Sequence, residues 1–180
     1  MKITHSNFKD IYLQKISLAD VNLTYVDWLN DPETNQYLET RFKKQTIDSV
    51  RDFVSSIIKN NQDHLFTIRT SKDKKHIGNI KIGNIAQQHG TGFISLFIGD
   101  KLSRNNGYAK QAITLICQHA FTTLKLRKLT AGVYDLNCAS KKIFLKSGFE
   151  YEATFKNHYI FEGTPCDLIF LSLFTPDRAQ

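Results

Sequence analysis

Apolar residues recur along the chain at the intervals of buried helix faces. Two segments repeat apolar positions every three or four residues: Val50, Phe53, Val54, Ile57 and Ile58, and then Ala109, Ala112, Ile113, Ile116, Cys117, Ala120, Phe121 and Leu124. Thr46 stands where the N-cap of the first segment is expected. The spacing predicts two amphipathic helices, of which the second runs for about four turns.

Two shorter helices are predicted from the signals at their ends. Asn137 is placed to cap a helix over residues 137–147, and Gly148 is placed to stop it. A further helix is predicted over residues 21–29, immediately ahead of Asp31-Pro32.

Strands are predicted between these helices. Segments rich in Ile and Phe and separated by polar turns cover residues 65–69, 76–85 and 92–98. Apolar and other positions alternate over residues 129–133, and residues 167–174 are nearly all apolar, as in an interior strand. The order of elements predicts an α/β fold in one domain over residues 1–180, with helices on both faces of a mixed sheet.

Charge and composition indicate the type of partner and the cellular compartment of the protein. The 24 Lys and Arg residues exceed the 17 Asp and Glu residues, which gives a net charge of +7 and suits a polyanionic partner. Residues 1–10 are polar and lack the apolar core of a signal peptide, and no stretch approaches the apolar run of about 20 residues that a membrane span needs. The three cysteines form no CxxC pair. We therefore expect a cytoplasmic protein with reduced thiols.

The loop before the second long helix is the strongest candidate for a ligand site. A predicted strand ends near Ile98, and RNNGYA over residues 104–109 then opens the helix. Gly107 and Ala109 are small and permit close approach of a ligand to the backbone. The first N–H groups of a helix lack internal partners, and the helix dipole adds positive potential there. With charge from Arg104 and Lys110, this pattern predicts a pyrophosphate site, although a simple glycine-containing loop has the same form.

A second signal follows about 30 residues later, where a strand passes into a helix. Asn137 opens that helix, and Ser140 lies about one turn further on. As structure alone, Asn137 is an N-cap and Gly148 a C-cap.

The two motifs together resemble the cofactor motifs of the GNAT acetyltransferases. RNNGYA and the NxxSKKIFLKSGFE run after it stand in the order and at the spacing of that family. Residues 12–21 and the WLNDP run over residues 28–32 are similar to the opening of the subgroup that contains the ribosomal-protein N-terminal acetyltransferases. The resemblance implies one mixed, mostly antiparallel sheet of about seven strands. It also implies acetyl-CoA as co-substrate and acetyl transfer to a primary amine.

The resemblance further implies where acetyl-CoA binds. The strand before the phosphate loop is expected to part from its neighbour, and Phe97 and Ile98 are expected to contact the pantetheine arm and polarise the thioester carbonyl. Asn137 is expected to contact the pantetheine arm or an ordered water, and Lys141 or Lys142 the 3′-phosphate. The phosphate loop supplies the remaining expected cofactor residues: Arg104, Asn105, Asn106, Gly107, Tyr108, Ala109 and Lys110.

The expected catalytic residues depart from the family pattern in two places. Phe144 stands where many members carry a tyrosine that protonates the departing thiolate, and Ser140 is the expected substitute, with Tyr134 in reserve. Residues 92–96 contain no glutamate to serve as base. The base is therefore either Glu39 or a water held by backbone carbonyls.

The resemblance also implies that the acceptor amine lies against the polar loop over residues 31–46. Glu39 and Arg41 on this loop, with Tyr134, are the expected substrate-binding residues, since they suit a cationic amine and an attached anion. A small-molecule amine is the first hypothesis for the acceptor. A nucleotide-linked amino sugar is favoured, because residues 28–41 and 77–82 are similar to bacterial GNAT enzymes of surface-sugar pathways. Its alternatives are the α-amino group of a protein and, in another class, a non-catalytic module that binds acyl-CoA or nucleic acid.

Other partners are given less weight by the sequence. The basic residues are scattered, so no nucleic-acid partner is expected, and neither is a membrane partner; the chain is expected to be a monomer or a homodimer. The six histidines show no metal-ligand spacing, and we expect no metal. His119 lies off the apolar stripe of its helix and is expected to face solvent.

Overall fold

The computed structural model describes residues 1–5, 8–60 and 62–175, and the strands in these ranges form one eight-stranded sheet. In chain order they are β1 (Lys2–His5), β2 (Phe8–Lys15), β3 (His64–Thr70), β4 (His76–Ala86), β5 (Thr91–Ile98), β6 (Lys128–Tyr134), β7 (Glu150–Phe161) and β8 (Thr164–Phe174). Across the sheet the order is β1-β2-β3-β4-β5-β6-β8-β7. Only β5 and β6 pair in parallel within the described chain.

The prediction of a mixed, mostly antiparallel sheet is confirmed, and the sheet has eight strands rather than about seven. The first segment of the chain accounts for part of this difference, because β1 folds back on β2 with Ile3 opposite Leu13. At the other end, β7 and β8 form a hairpin whose two turn residues, Glu162 and Gly163, have φ of 49° and 79°. Positive φ at both positions matches the right-handed twist of the paired strands.

Each predicted helix is present. The helices are α1 (Leu23–Asn30), α2 (Pro32–Asn35), α3 (Ile47–Lys59), α4 (Tyr108–Thr122) and α5 (Cys138–Lys146). Helix α1 begins after Asn22, whose Oδ1 accepts a 3.0 Å hydrogen bond from the backbone N–H of Tyr25. The short α2 was not predicted; the Asp31 carboxylate caps it by accepting a 3.2 Å bond from the N–H of Thr34.

The buried face of α3 is narrower than the sequence suggested. Val50, Val54 and Ile57 are buried, and Thr46 caps the helix as predicted. Phe53 and Ile58 are 45% and 42% exposed, so the prediction that they lie on the buried face is wrong. At 100° per residue they flank Val50 by about 60° and 80°, at the two margins of the stripe.

The buried face of α4 is wider than the sequence suggested, and His119 lies on it. The prediction that His119 faces solvent is wrong, because its side chain is only 6% exposed. Its ring meets Phe66 of β3 edge-on, with the centroids 5.7 Å apart. Helix α4 packs against β1, β2, β4 and β5, and this breadth brings Leu115 and His119 into the core with the predicted stripe.

The sheet separates two hydrophobic clusters. Leu65 and Phe66 are neighbours in β3 and point to opposite faces, as successive strand residues do. Phe66 belongs to the larger cluster with α4 and α5, and Leu65 belongs to the smaller one with α1 and α3. None of the helices in the described residues is long and apolar enough to cross a membrane.

Candidate active site

The parallel strands β5 and β6 pair over only three residues and then part. Residues 91–93 pair with residues 128–130. Beyond them β5 follows β4 to Ile98, whereas β6 follows β8 to Tyr134. In the described chain, backbone groups on the two facing edges of this gap therefore lack a strand partner. The parting of strands implied by the family resemblance is present.

A cleft of about 590 Å³ occupies the gap between β5 and β6. Its volume is in the range of sites for small molecules and cofactors. Many of the residues expected around the cofactor line it: Phe97, Ile98, Arg104, Asn105, Gly107, Tyr108, Ala109, Asn137 and Lys142. Ser140 and Tyr134 line it as well. Among the residues that the structure describes, the lining leaves out Asn106, Lys110 and Lys141, together with Glu39 and Arg41.

The N-terminus of α4 opens onto this cleft. Gly107 precedes the helix with φ of +75°, and a β-carbon added there would meet no atom within 4 Å. The first intrahelical bond runs from the N–H of Gln111 to the carbonyl of Gly107, so the N–H groups of residues 107–110 come before it. Free N–H groups, the helix dipole and open space beside a glycine fit the pyrophosphate of acetyl-CoA.

Arg104 is held by protein groups that line the same cleft. Its guanidinium forms a 2.5 Å ion pair with Glu33, donates 2.7 Å to the hydroxyl of Thr34, and donates 3.2 Å to the carbonyl of Ile98. These contacts tie α2 to the end of β5. Asn106 also serves the loop, since its side-chain amide donates to two carbonyl groups within it. The structure therefore engages both residues in positioning the phosphate loop.

Helix α5 brings Ser140 to the wall of the cleft. The Oδ1 atom of Asn137 accepts a 3.0 Å hydrogen bond from the backbone N–H of Ser140, which fixes the first turn. The hydroxyl of Ser140 has no protein partner among the described residues, and it stays free to donate to a ligand. Phe144 is 2% exposed and packs edge-on against Phe149, with ring centroids 5.0 Å apart. Phe144 has no hydroxyl group, so the hydroxyl group on α5 is that of Ser140.

Tyr134 connects the cleft to the loop over residues 31–46. Its hydroxyl donates a 2.5 Å hydrogen bond to the Glu39 carboxylate and accepts a 2.8 Å bond from the Arg41 guanidinium. Burial, followed by the hydrogen bond to Glu39, raises the pKa of Tyr134 to about 12. The phenol is therefore a weak acid here, and this weakens its claim as the reserve proton donor. Glu39 and Arg41 reach the cleft through this hydroxyl.

The same loop also contacts the hairpin of β7 and β8 and the segment that follows β6. The Tyr37 ring stacks on Phe161 at 5.1 Å with an interplanar angle of 19°. Arg41 donates 3.2 Å to the carbonyl of Ile160, and the Tyr37 hydroxyl donates 3.4 Å to the carbonyl of Leu136. Three contacts thus join segments that are distant in the sequence.

Sequence reasoning missed the aromatic residues of these contacts. Tyr159 and Phe161 are two apart in β7 and therefore point to the same face of that strand. Tyr37 lies two positions before Glu39 on the loop. That spacing was the available signal. It carries weight only once the fold brings β7 to the loop, where Tyr159 stacks on Tyr134 at 4.6 Å.

The arrangement of possible metal ligands was compared over the described ranges. Within residues 1–5, 8–60 and 62–175, no group of three or more His, Cys, Asp or Glu side chains is arranged to hold a metal ion. The free edge of β5 and the N-terminus of α4 instead suit a nucleotide thioester such as acetyl-CoA.

Comparisons with known proteins agree with this geometry. The acetyltransferase (GNAT) domain family matches residues 10–150 of the chain. The uncharacterized N-acetyltransferase YoaA of Bacillus subtilis (strain 168) is 27% identical over 168 residues, which cover 92% of this chain and 94% of that protein.

Two solved structures share the fold at low sequence identity. Spermidine N-acetyltransferase from Vibrio cholerae, in complex with CoA and spermine, is similar with a TM-score of 0.84 and 18% identity, covering 93% of this chain and 96% of that one. RimL, a ribosomal L7/L12 alpha-N-protein acetyltransferase in complex with coenzyme A, is similar with a TM-score of 0.81 and 14% identity, covering 93% and 95%. The chain belongs to the GNAT acetyltransferase family and is an N-acetyltransferase that uses acetyl-CoA.

Proposed function

We propose that this enzyme acetylates the primary amine of a small molecule. The observation that carries the proposal is the contact between the loop over residues 31–46 and the hairpin of β7 and β8, where Tyr37 stacks on Phe161 and Arg41 bonds to Ile160. An acceptor that is a protein N-terminus requires an open groove for several residues of extended chain. An entrance bridged by an aromatic stack and by the half-buried Arg41 favours a compact acceptor instead.

Glu39 is proposed to receive the amine. Its side chain is 60% exposed, and one carboxylate oxygen is held by the Tyr134 hydroxyl. An alkylammonium has a pKa near 10.4 and must lose a proton before its nitrogen attacks. The carboxylate attracts the ammonium, and it takes the proton directly or through a water.

Ser140 is proposed to assist departure of the thiolate. Acetyl-CoA, when bound, supplies the acetyl group as an activated thioester. The Ser140 hydroxyl lines the cleft and is unpaired in the described chain, so it is available to donate to sulfur. Phe97 and Ile98 belong to the part of β5 that has no β6 partner, and backbone N–H groups there are proposed to orient the thioester, since the Ile98 carbonyl already accepts from Arg104.

A nucleotide-linked amino sugar remains the favoured acceptor within this class, with a changed role for Arg41. The sequence suggested that Arg41 holds an anion of the acceptor. Its guanidinium instead donates to the carbonyls of Leu38 and Ile160 and to the Tyr134 hydroxyl, and it lies 3.7 Å from Glu39. These contacts support a bracing role for Arg41, so an anion on the acceptor must be bound elsewhere.

Thiol release from acetyl-CoA tests the proposal when it is measured across four acceptors. These are glucosamine, UDP-glucosamine, spermidine and a short peptide with a free N-terminus. Turnover of at least one small amine, with kcat/KM about tenfold or more above that of the peptide, is expected. Turnover of the peptide alone would assign the enzyme to protein acetylation, which is the alternative suggested by its likeness to RimL.

A further inference from the structure

Arg104 connects the phosphate loop to helix α2, 70 residues earlier in the sequence. Its guanidinium donates 2.5 Å to the Glu33 carboxylate and 2.7 Å to the Thr34 hydroxyl, both in α2. Its Nε–H donates 3.2 Å to the carbonyl of Ile98, the last residue of β5. Each nitrogen atom of the guanidinium thus has a protein partner, and all four residues line the cleft.

These contacts oppose a role for Arg104 as a ligand of the cofactor phosphates. The ion pair with Glu33 offsets the charge of the guanidinium, and the planar fork already matches three acceptors in the protein. A phosphate that recruited Arg104 would have to break at least one of these bonds. The Arg104 side chain is only 24% exposed. The geometry therefore favours a fixed link within the protein.

The phosphate loop holds the backbone of Arg104 as firmly as α2 holds its side chain. Arg104 lies three residues before Gly107, which precedes α4 and its free N–H groups. The side-chain amide of Asn106 donates 3.2 Å to the carbonyl of Arg104 and 3.2 Å to that of Leu102. A pyrophosphate bound at the N-terminus of α4 restrains this backbone further. Because the guanidinium is bonded to α2, the restraint reaches α2 as well.

Helix α2 is joined without a gap to the segment that carries Glu39. Asn35, the last residue of α2, is buried, and its side-chain amide donates 2.8 Å to the carbonyl of Leu29 in α1. The carbonyl of Asn35 accepts a 2.7 Å bond from the N–H of Leu38, the residue before Glu39. Helix α1 therefore holds the end of α2, whereas Arg104 holds its first turn. The position of α2 in turn determines that of the Glu39 backbone.

We propose that Arg104 is a positioning residue that couples the cofactor site to the loop over residues 31–46. Acetyl-CoA at the N-terminus of α4 fixes the backbone of Arg104, and the guanidinium then holds α2 and the segment up to Glu39. A coupling between two sites is usually a factor of about 5 to 150 in affinity, and it is reciprocal. The coupling does not depend on which amine is acetylated, whereas its benefit to the amine rests on the proposed place of the amine at Glu39.

Hydrogen exchange with and without coenzyme A tests the coupling in the absence of any acceptor. Exchange of backbone amides reports how often a segment opens. In wild type, saturating coenzyme A is expected to slow exchange in residues 31–46 by about fivefold or more. Arg104→Met keeps the length of the side chain and removes its donors, so the slowing should fall below about twofold. Affinity for coenzyme A, measured by calorimetry, should stay within about threefold of wild type, because the N–H groups of α4 remain.

Lys101→Met is the matched control for Arg104→Met. Lys101 forms ion pairs with Asp31 at 3.3 Å and with Glu33 at 2.8 Å, so it contacts the same helix. Its side chain is 52% exposed, and in the described chain its ammonium pairs with these two carboxylates alone. Lys101→Met is therefore expected to keep the slowing that coenzyme A produces in wild type.

Arg104→Lys separates a link from a charge. Lysine keeps the positive charge, but its single nitrogen cannot reproduce the fork that reaches three acceptors. The slowing by coenzyme A should therefore remain lost in this variant. Glu33→Gln removes the ion pair and keeps the guanidinium, and it should reduce the slowing in part. If Arg104→Met does not fold, Glu33→Gln carries the same test.

Three results would overturn the proposal. Coenzyme A that leaves exchange in residues 31–46 of wild type unchanged would show that the two regions are not coupled. A wild-type slowing in Arg104→Met, or in Glu33→Gln where only that variant folds, would assign the coupling to another route. A fall of more than about tenfold in coenzyme A affinity in Arg104→Met that Arg104→Lys restores would assign Arg104 to the phosphates. No amine takes part in these measurements, so each result leaves the proposed function untouched.

Discussion

The hydroxyl of Tyr134 donates a 2.5 Å hydrogen bond to the carboxylate of Glu39, 95 residues away in the sequence. The phenol lines the cleft and is 4% exposed, whereas the Glu39 side chain is 60% exposed. The Tyr134 ring is thus buried, whereas the Glu39 carboxylate is exposed to solvent. The bond holds the carboxylate beside the cleft, where we propose that the amine enters, although Glu39 itself does not line the cleft.

Glu39→Gln is expected to impair use of the amine and to spare acetyl-CoA. The amide keeps the size of the side chain and can accept from Tyr134, but it neither attracts an ammonium nor takes its proton. We expect kcat/KM for the amine to fall on the order of 100-fold. Acetyl-CoA affinity, measured by calorimetry, should stay within about twofold, since the phosphate loop is a separate region.

The matched control for Glu39→Gln is Glu150→Gln, which removes a carboxylate from the exposed first residue of β7. It should leave both constants unchanged. If Glu39→Gln behaves like this control, the proton leaves through water held by backbone carbonyls, and the carboxylate is only part of the entrance.

Gly107→Glu is expected to abolish the rise in Tm that acetyl-CoA produces, because it places bulk and negative charge at the N-terminus of α4. Loss of charge-assisted contacts of this kind lowers affinity by about 10- to 100-fold. Gly163→Glu is a closely matched control: its φ is +79° against +75° at Gly107, and an added β-carbon meets no atom within 4 Å at either glycine. Both variants carry similar backbone strain, but only Gly107 lies in the phosphate loop.

The phosphate-loop assignment fails if both glycine variants keep the shift in Tm that wild type shows with acetyl-CoA. A loss in both would indicate that strain, rather than position, is responsible. Thermal shift with and without acetyl-CoA separates these outcomes, since the apo Tm of each variant reports the strain alone.

The sequence predicts the local geometry around Gly107 and Asn137 better than the contacts of the loop over residues 31–46, because the two depend on different ranges of contact. The free N–H groups beside Gly107 and the cap from Asn137 to Ser140 are properties of a few consecutive residues. The contacts of Arg41 with Tyr134 and Ile160 join residues 93 and 119 positions apart. No local pattern indicates them, and a charge on a loop can equally face a ligand or the protein.

Ser140→Ala is expected to lower kcat on the order of 100-fold while acetyl-CoA affinity stays within about twofold. The substitution removes the hydroxyl and keeps the backbone N–H that Asn137 caps, so α5 retains its first turn. A proton donor to the thiolate matters chiefly in the transition state, and its loss therefore appears in kcat rather than in binding. Steady-state kinetics at saturating acetyl-CoA measure the effect.

A structural effect at α5 can be separated from a chemical one. Asn137→Ala removes the cap and should cost about 1 kcal/mol of helix stability. If Ser140→Ala lowers Tm as much as Asn137→Ala does, its kinetic effect reflects disorder of the helix. An unchanged kcat would instead assign the proton to solvent or, against its raised pKa, to Tyr134.

The stability of the protein is expected to fall as pH is lowered through 6.5, partly because of His119. Burial, followed by the nearby charge of His64, lowers the pKa of His119 below its ordinary value of 6.5. Below that value the unfolded chain binds a proton that the folded chain resists, so the free energy of unfolding rises with pH across this window. The contribution is complete above about pH 6.5 and is lost as pH falls toward the folded pKa, with a slope of at most about 1.4 kcal/mol per pH unit for one group.

His119→Leu should remove this part of the pH dependence, because leucine keeps an apolar contact with Phe66 and has no proton to bind. It also eliminates the Nε2 atom, which is buried without a hydrogen-bond partner in the described chain.

Urea unfolding at pH 8 and pH 5 gives the free energy of unfolding of each protein at the two pH values. The decrease in the free energy of unfolding from pH 8 to pH 5 should be smaller in His119→Leu than in wild type. In the control His89→Leu, which changes an exposed histidine, this decrease should match that of wild type. His76, whose pKa burial also lowers, still titrates in both proteins and leaves a residual dependence. An equal pH dependence for wild type and His119→Leu would mean that His119 binds its proton equally well in the folded and unfolded chains, which its burial against Phe66 opposes.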